Sequence, residues 1–303
     1  MLHRLEFHAM GCEILALVDR ESSPALLAKV PEWFEEWEQV LSRFRYDSEL
    51  TRLNQIHERP VRVSQILWDV LQTARDAEQL TDGLVTPTLL HAIIEAGYDR
   101  PFDVLPHQTP YVADPVLTAP QPLTAIAVNN LTRTVTLPSG MSLDFGGSAK
   151  GWAAHQAMKR LQVEGPALVN AGGDIAISGP RADGSLWPIG IANPFQPKED
   201  LETLFLEACG VATSGKDRRR WMRNGTLQHH IIDPATNQPA DTDLLTVTVV
   251  ASDVMEAEAA AKAAFILGSR VGLEWIEARP QLAALFILDN GQVVYSDKME
   301  EFL

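Results

Sequence analysis

The sequence predicts an α+β fold, with largely antiparallel sheets flanked by helices, and three observations carry that prediction. Amphipathic helical patterns lie mostly in the first third of the chain, over 24–41 and 64–80. From residue 167 onward short apolar runs dominate, closed by turn residues such as Ala182-Asp183-Gly184. Those runs mostly follow one another directly as hairpins, whereas a doubly wound parallel sheet needs a helix between successive strands. Composition adds a soluble, core-forming chain: of 303 residues, 46% are hydrophobic and 21% charged, which is ordinary for a globular protein. The proline-rich stretch at about 100–122, holding Pro101, Pro106, Pro110, Pro115, Pro120 and Pro122, reads as a loop within one domain spanning 1–303.

Taken in order, Leu5 to Asp19 reads as a strand interrupted at Gly11. Residues 24–41 read as a helix with Leu26, Leu27, Val30, Phe34, Trp37 and Leu41 on one face. Ser48 starts a short helix ending near Asn54, and Ser64 caps a longer one to Leu80, stopped by Thr81-Asp82-Gly83. Thr86-Pro87-Thr88 leads into a helix over Leu89 to Ala96, closed by Gly97. Ile126–Asn129 and Thr134–Leu137 form a hairpin. Leu143–Phe145 reads as a strand end, followed by a glycine turn, a helix, and a strand over Ala167–Asn170. Ile175–Ser178 and Trp187–Ile191 are strands around the Asp183-Gly184 turn. Leu204–Glu207 and Gly210–Thr213 follow, then a hairpin over Asn224-Gly225. Leu245–Ala251 is a strand, Val254–Leu267 an alanine-rich helix stopped by Gly268, and Ile276–Pro280 closes a short helix. Ala283–Leu288 and Gln292–Tyr295 make a last hairpin.

Charge excludes one class of partner. Lys and Arg number 25 against 40 Asp and Glu, a net charge of −15, and nucleic acid demands basic surface. Two cysteines far apart, Cys12 and Cys209, form neither a disulfide framework nor a zinc site. Ala9-Met10-Gly11-Cys12 has the outline of a lipoprotein cleavage site, but His3, Arg4, Glu6 and His8 precede it where an apolar stretch is required. No run reaches the roughly 18 apolar residues of a membrane helix, so the expected location is the cytoplasm.

The residues with chemistry to offer cluster between Leu143 and Asp174. Gly146-Gly147 precedes a helix, and Gly172-Gly173, closed by Asp174, follows the next strand. Glycines before a helix N-terminus let amide groups approach an anion, and the helix dipole adds to the attraction. Lys150, in the first turn, can reach a phosphate. Two such turns joined by a helix suggest a nucleotide-phosphate cradle. The other reading is two ordinary tight turns, because neither a Walker A nor a GxGxxG pattern is present.

With these segments laid out, the sequence resembles the FAD:protein FMN transferase (ApbE) family over nearly its whole length. Met10-Gly11 matches the family's Met-Gly-Thr. Leu41-Ser42-Arg43-Phe44, Ser48-Glu49-Leu50 and Asn54 match Met-Ser-x-Tyr…Ser-Glu-Leu…Asn, and Gly83 to Leu89 corresponds to Gly-x-Phe-Asp-x-Thr-Val. Leu143-Asp-Phe-Gly-Gly-Ser-Ala-Lys-Gly-Trp-Ala153 corresponds to Leu-Asp-Leu-Gly-Gly-Ile-Ala-Lys-Gly-Tyr-Ala. Asn170-Ala-Gly-Gly-Asp174, Trp187-Pro-Ile-Gly-Ile191, Thr213-Ser214-Gly215, His230-Ile-Ile-Asp-Pro234 and Phe265-Ile-Leu-Gly268 follow in the family's order. Each motif alone is weak; together, in order, they are specific.

The resemblance implies an ApbE-like fold with a flavin cleft between two lobes, FAD as substrate, and Mg²⁺ at the pyrophosphate. It also implies a threonine-bearing flavoprotein as acceptor of FMN, with AMP released. FAD hydrolysis, or flavin binding with weak or no transfer, is the alternative. By the same resemblance Lys150, His230 and Glu258 form the catalytic set. Met10 and Phe44 flank the isoalloxazine, Leu84, Val85 and Thr86 line the adenosine side, and Gln156, Gly172, Gly173, Ser214, Gly215 and Lys262 complete the cofactor-binding residues. Thr86 stands where the family usually has aspartate. His230 sits near flavin or phosphates, or is an ordinary loop residue beside His229. The carbonyl of Ala153 and the side chain of Glu258 are the implied metal ligands.

The last helix departs from the pattern. Where the family places aspartate and threonine four residues apart on Mg²⁺, this chain has Glu258 and Lys262, and an ammonium has no lone pair to offer a metal. Either the two form a plain helix-face pair, or the ammonium stands in for the divalent ion. His155, where the family often has aspartate, is a further lost acid.

Overall fold

The computed structural model describes residues 1–105, 108–109, 120–196, 198–223 and 225–303, with 108 and 109 described by backbone alone. Its helices are α1 (Val30–Leu41), α2 (Glu49–Leu53), α3 (Gln65–Leu80), α4 (Leu90–Glu95), α5 (Ala149–Leu161) and α6 (Val254–Glu277). The chain divides into two compact units. One comprises Met1–Phe34, Lys150–Asp217 and Thr242–Leu303; the other comprises Glu35–Ala149 and Arg218–Asp241. No helix among the described residues is long and apolar enough to cross a membrane.

The first unit is built on an eight-stranded sheet in which every neighbouring pair is antiparallel, as the hairpin-rich sequence predicts. Its spatial order is Leu2–Ala9, Cys12–Asp19, Ala167–Ala171, Asp174–Ile177, Cys209–Gly215, Leu244–Ala251, Ala283–Leu288 and Val293–Tyr295. What reads in sequence as one strand broken at Gly11 is a hairpin. Met10 (φ 51°) and Gly11 (φ 67°) both adopt left-handed backbone, as a two-residue turn between twisted strands requires. One face of the sheet carries α6, packed on Cys209–Gly215, Leu244–Ala251 and Ala283–Leu288. Asp253 caps that helix, accepting from the amides of Met255 (2.8 Å) and Glu256 (3.0 Å). Its buried face is Ala257, Ala260, Ala261 and Ala264. Such small residues let the helix sit close, and a Cβ on Gly210 would fall 2.0 Å from the backbone of Asp253 and Val254. The helix kinks at Gly268 (φ 79°), where the sequence places its stop, but helical hydrogen bonding resumes to Glu277.

The other face is covered by the strands Trp187–Ala192 and Asp200–Leu206, which pair with each other. Trp187, Ile189, Ile191, Leu204 and Leu206 pack there with Leu168, Ile177, Val211, Leu285 and Ile287. This corrects the expected hairpin of Ile175–Ser178 with Trp187–Ile191: Asp174–Ile177 already has partners on both edges and leaves no free ladder.

In the second unit, α2 and α3 start where their serines predict. Ser48 accepts from the amide of Thr51 (2.9 Å) and Ser64 from that of Leu67 (3.2 Å). The predicted hairpin forms between Ala127–Asn129 and Thr134–Thr136. Leu143–Phe145 is not a strand. The side-chain amide of Asn54 bonds both the N–H and the C=O of Leu143, each at 2.8 Å, so that backbone takes no ladder partner. Helix α1 starts only at Val30, six residues after Pro24, behind a short 3-10 turn over Leu27–Lys29. Arg220–Arg223 and Thr226–His229 form the hairpin expected there, though Asn224 of its turn lies outside the described residues, as does most of the proline-rich stretch.

Candidate active site

Sheet register gathers several of the expected residues of the first unit at one end. Strand Cys12–Asp19 runs beside Ala167–Ala171 with Ile14 opposite Ala171. The Met10-Gly11 turn therefore comes beside the Gly172-Gly173 turn, where a Cβ on Gly172 would lie 2.7 Å from the Cβ of Cys12. Gly172 (φ 67°) and Gly173 (φ 104°) make a tight hairpin turn, and their amides donate to the carbonyl of Glu13 (3.0 Å) and to the side chain of Asn170 (2.8 Å). Here the tight-turn reading accounts for the glycines. One strand over, a Cβ on Gly173 would sit 4.0 Å from that of Thr213, which brings buried Ser214 and Gly215 to the same end.

Below this end lies a four-membered ionic cluster, all of it in the first unit. Lys150 donates to Asp174 and lies 3.7 Å from Glu258 Oε1; Lys262 donates to the same oxygen at 2.9 Å. Glu258 Oε2 accepts from the backbone N–H of Gly151 at 3.1 Å. Local structure dictates this. Lys150 is in the first turn of α5, Glu258 and Lys262 are one turn apart on α6, and Asp174 begins the strand after the glycine turn. A Cβ on Gly151 would fall 2.5 Å from Glu258 Oε2 and 3.3 Å from the carbonyl of Val254, so only glycine lets α5 approach α6 this closely.

The two acids are sunk and the two cations lie nearer the surface. The side chains of Asp174 and Glu258 are 3% and 1% exposed, those of Lys150 and Lys262 17% and 16%. Burial raises the carboxyl pKa of Glu258, but Lys262, Lys150, the bond from Lys262 and the Gly151 amide outweigh it and hold the group ionised, below the usual range. Burial disfavours the Lys150 ammonium, yet Asp174 and Glu258 outweigh that effect and leave it above the ordinary lysine range. Burial raises the Asp174 carboxyl above its usual range; Lys150 opposes this and the charge of Glu258 adds to it.

The donor set does not fit a divalent cation. Both oxygens of Glu258 are engaged, and a dication there would stand beside two ammonium groups. Ala153 is fully buried in α5, and among the described residues no group of three or more His, Cys, Asp or Glu side chains is arranged to hold a metal. His155 on α5 is kept below the ordinary imidazole range by burial first, with Lys159 adding and Asp253 opposing. Gln156 lies beside it, half-buried.

The second unit holds the remaining expected residues. Phe44 packs at 5.6 Å, ring centre to ring centre, on Tyr98, which in turn lies 5.5 Å from Trp221. Arg43 lies over both Phe44 (4.0 Å) and Tyr98 (4.7 Å), pairs with Asp144 at 3.2 Å, and is only 7% exposed. Among the described residues its Nη2 is buried with no hydrogen-bond partner. Thr86 caps the turn over Pro87–Leu89, its hydroxyl accepting from Thr88 N at 3.4 Å. Val85 is buried, Leu84 half-buried, and His230 half-buried directly after the strand Thr226–His229.

Sequence reasoning therefore missed Asp174, Gly151 and Arg43. All three lie inside the quoted motifs. Asp174 meets its lysine from 24 positions away, Gly151 matters only because another helix passes over it, and Arg43 occupies the variable position of its motif.

The comparisons agree with this architecture. Residues 10–286 match the ApbE family profile. An FAD:protein FMN transferase of Vibrio cholerae is 30% identical, aligned over 93% of this chain and 85% of that protein; one from Treponema pallidum is 31% identical, over 89% and 78%. Among solved structures, the ApbE protein of Thermotoga maritima superposes with a TM-score of 0.89 at 23% identity, covering 100% of this chain and 99% of its own. The flavin transferase ApbE of Vibrio cholerae does so at 0.81 and 25%, with the same coverage.

Proposed function

The chain belongs to the ApbE family, and from that premise we propose that it is an FAD:protein FMN transferase. Its reaction would move FMN from FAD onto a threonine hydroxyl of a flavoprotein. The threonine oxygen forms a bond to the FMN phosphorus, the bond from that phosphorus to the bridging oxygen breaks, and AMP leaves with the electron pair. The hydroxyl proton passes to a base, for which His230 is the candidate.

The observation that carries the reading is the cluster of two partly exposed lysine side chains on two buried carboxylates. Diphosphate cleavage builds negative charge on phosphate oxygens, and preorganised cations stabilise it where water is partly excluded. Lys150 and Lys262 would meet that charge, while Asp174 and Glu258 hold the ammonium groups in place. By family resemblance, Met10, Gln156, Ser214 and Gly215 of the first unit and Phe44, Leu84, Val85 and Thr86 of the second are the further proposed binding residues. A flavin binder or FAD hydrolase with little transfer is the second reading, favoured by the engagement of both Glu258 oxygens.

Incubation with FAD and a threonine-bearing flavoprotein acceptor tests the two. Covalent flavin fluorescence on the acceptor with equimolar AMP is expected. AMP and free FMN without labelling would support hydrolysis, and neither product would leave binding alone.

A further inference from the structure

We infer that this chain binds its dinucleotide without a divalent cation, the ammonium group of Lys262 standing beside Lys150 in the place a metal would take. The inference rests on the FAD reading above. A plain helix-face pair between Glu and Lys four residues apart sits in solvent and contributes little. This one does not sit in solvent: the carboxylate is 1% exposed, and its charge must be matched where it stands.

Geometry ties the pair down further. Glu258 Oε1 holds Lys262 at 2.9 Å with Lys150 at 3.7 Å, and Oε2 holds the Gly151 N–H at 3.1 Å. Mg²⁺ binds oxygen at about 2.0–2.1 Å and requires near-octahedral donors. To coordinate Glu258 it would have to displace Lys262, then sit beside two ammonium groups that have no lone pair to offer it. Swinging Lys262 away leaves the buried carboxylate with one backbone amide and one more distant ammonium. Helix α6 cannot shift to make room, because its capped N-terminus lies directly against Gly210 and its alanine face is buried.

The same arrangement suits an anion. The carboxylates are buried, while the side chains of Lys150 and Lys262 are 17% and 16% exposed, and each ammonium carries three donors, of which the carboxylates do not take all. Lys150 also sits in the first turn of α5, whose dipole favours negative charge there. The two ammonium groups, already paired with two carboxylates, would offer a diphosphate hydrogen bonds and local positive potential rather than two net charges, and would not order its oxygens as a dication does.

FAD affinity measured by titration calorimetry, in EDTA and in millimolar Mg²⁺, tests the inference. Wild-type values within about two-fold of each other are expected. Lys262→Met should lose about ten-fold or more in EDTA, the scale of one charge-assisted hydrogen bond, while Lys262→Arg keeps the affinity; a melting curve confirms that each variant is folded. Lys262→Thr should free Glu258 and make FAD binding respond to Mg²⁺. Wild-type binding that strengthens ten-fold or more with Mg²⁺, or a folded Lys262→Met that binds as well as wild type in EDTA, overturns the inference alone. Absence of FAD binding under both conditions overturns the FAD reading, and the inference with it.

Discussion

Gly151→Ala probes the contact that positions the ionic cluster. In an isolated helix the substitution would stabilise by about 1 kcal/mol, since alanine is the better helix former. Here the added methyl would fall 2.5 Å from Glu258 Oε2 and 3.3 Å from the carbonyl of Val254, and real Cβ contacts under 3.0 Å are essentially never seen. Glu258 must therefore retreat by roughly 1–1.5 Å to reach ordinary contact. Retreat breaks the 3.1 Å bond from the Gly151 amide, a charge-assisted hydrogen bond of about 1.5–3 kcal/mol. Overpacking between two buried helices adds about 1–3 kcal/mol. Set against the helix-propensity gain, the net is a loss of about 1.5–5 kcal/mol, or a fall in Tm of roughly 3–20 °C for a unit of this size. Calorimetry and urea unfolding would measure it. Glu258→Asp retracts the carboxylate by one methylene, so the double variant should lose less than the two single losses added together. A Gly151→Ala protein as stable as wild type, or a strictly additive double variant, would show that this contact does not set the spacing of α5 and α6.

Three further outcomes are expected. Because the folded-state pKa of Glu258 is depressed, its ionic stabilisation is present above the ordinary glutamate value of about 4.3 and fades as pH falls through the folded value. The stability gap between wild type and Glu258→Gln should accordingly be widest near neutral pH and close on acidification in pH-dependent urea melts; a gap constant down to pH 3 would contradict it. Trp221→Phe removes the 2.8 Å bond from the indole to the carbonyl of Ala96 at the end of α4 and should destabilise by about 1–2 kcal/mol by denaturant titration; an unchanged midpoint would mean that bond contributes nothing. Burial first, and then Glu207, push the Cys209 thiol up to about 12, so peptide mapping after iodoacetamide at pH 8 should find Cys209 unmodified in the native protein and alkylated after unfolding.

Much of this protein is legible in its sequence because much of it is locally encoded. Ser48 and Ser64 announce their helices since a cap is a matter of three residues, and the hairpins at 127–136 and 283–295 close across short turns. Lys150 and the Glu258–Lys262 pair stand out for the same reason: a helix turn places each, and spacing alone puts the last two on one face. Tertiary structure decided what the spacing leaves open. Whether Glu258 and Lys262 form a solvated pair or a buried one depends on α5 crossing at Gly151, which no residue near 258 reveals. Asp174 reads as the end of a turn until the sheet carries it to Lys150. The strand Trp187–Ala192 has the alternation of a hairpin partner for Asp174–Ile177, yet the tight hairpin with Ala167–Ala171 and long-range pairing with Cys209–Gly215 had already taken both edges of that strand. Leu143–Phe145 lost its ladder to the side chain of Asn54, far away in sequence. Periodicity and caps act over a few residues and are written in them; ladder edges, burial and the partner of a charge are settled only once distant segments compete for the same hydrogen bonds and the same buried space.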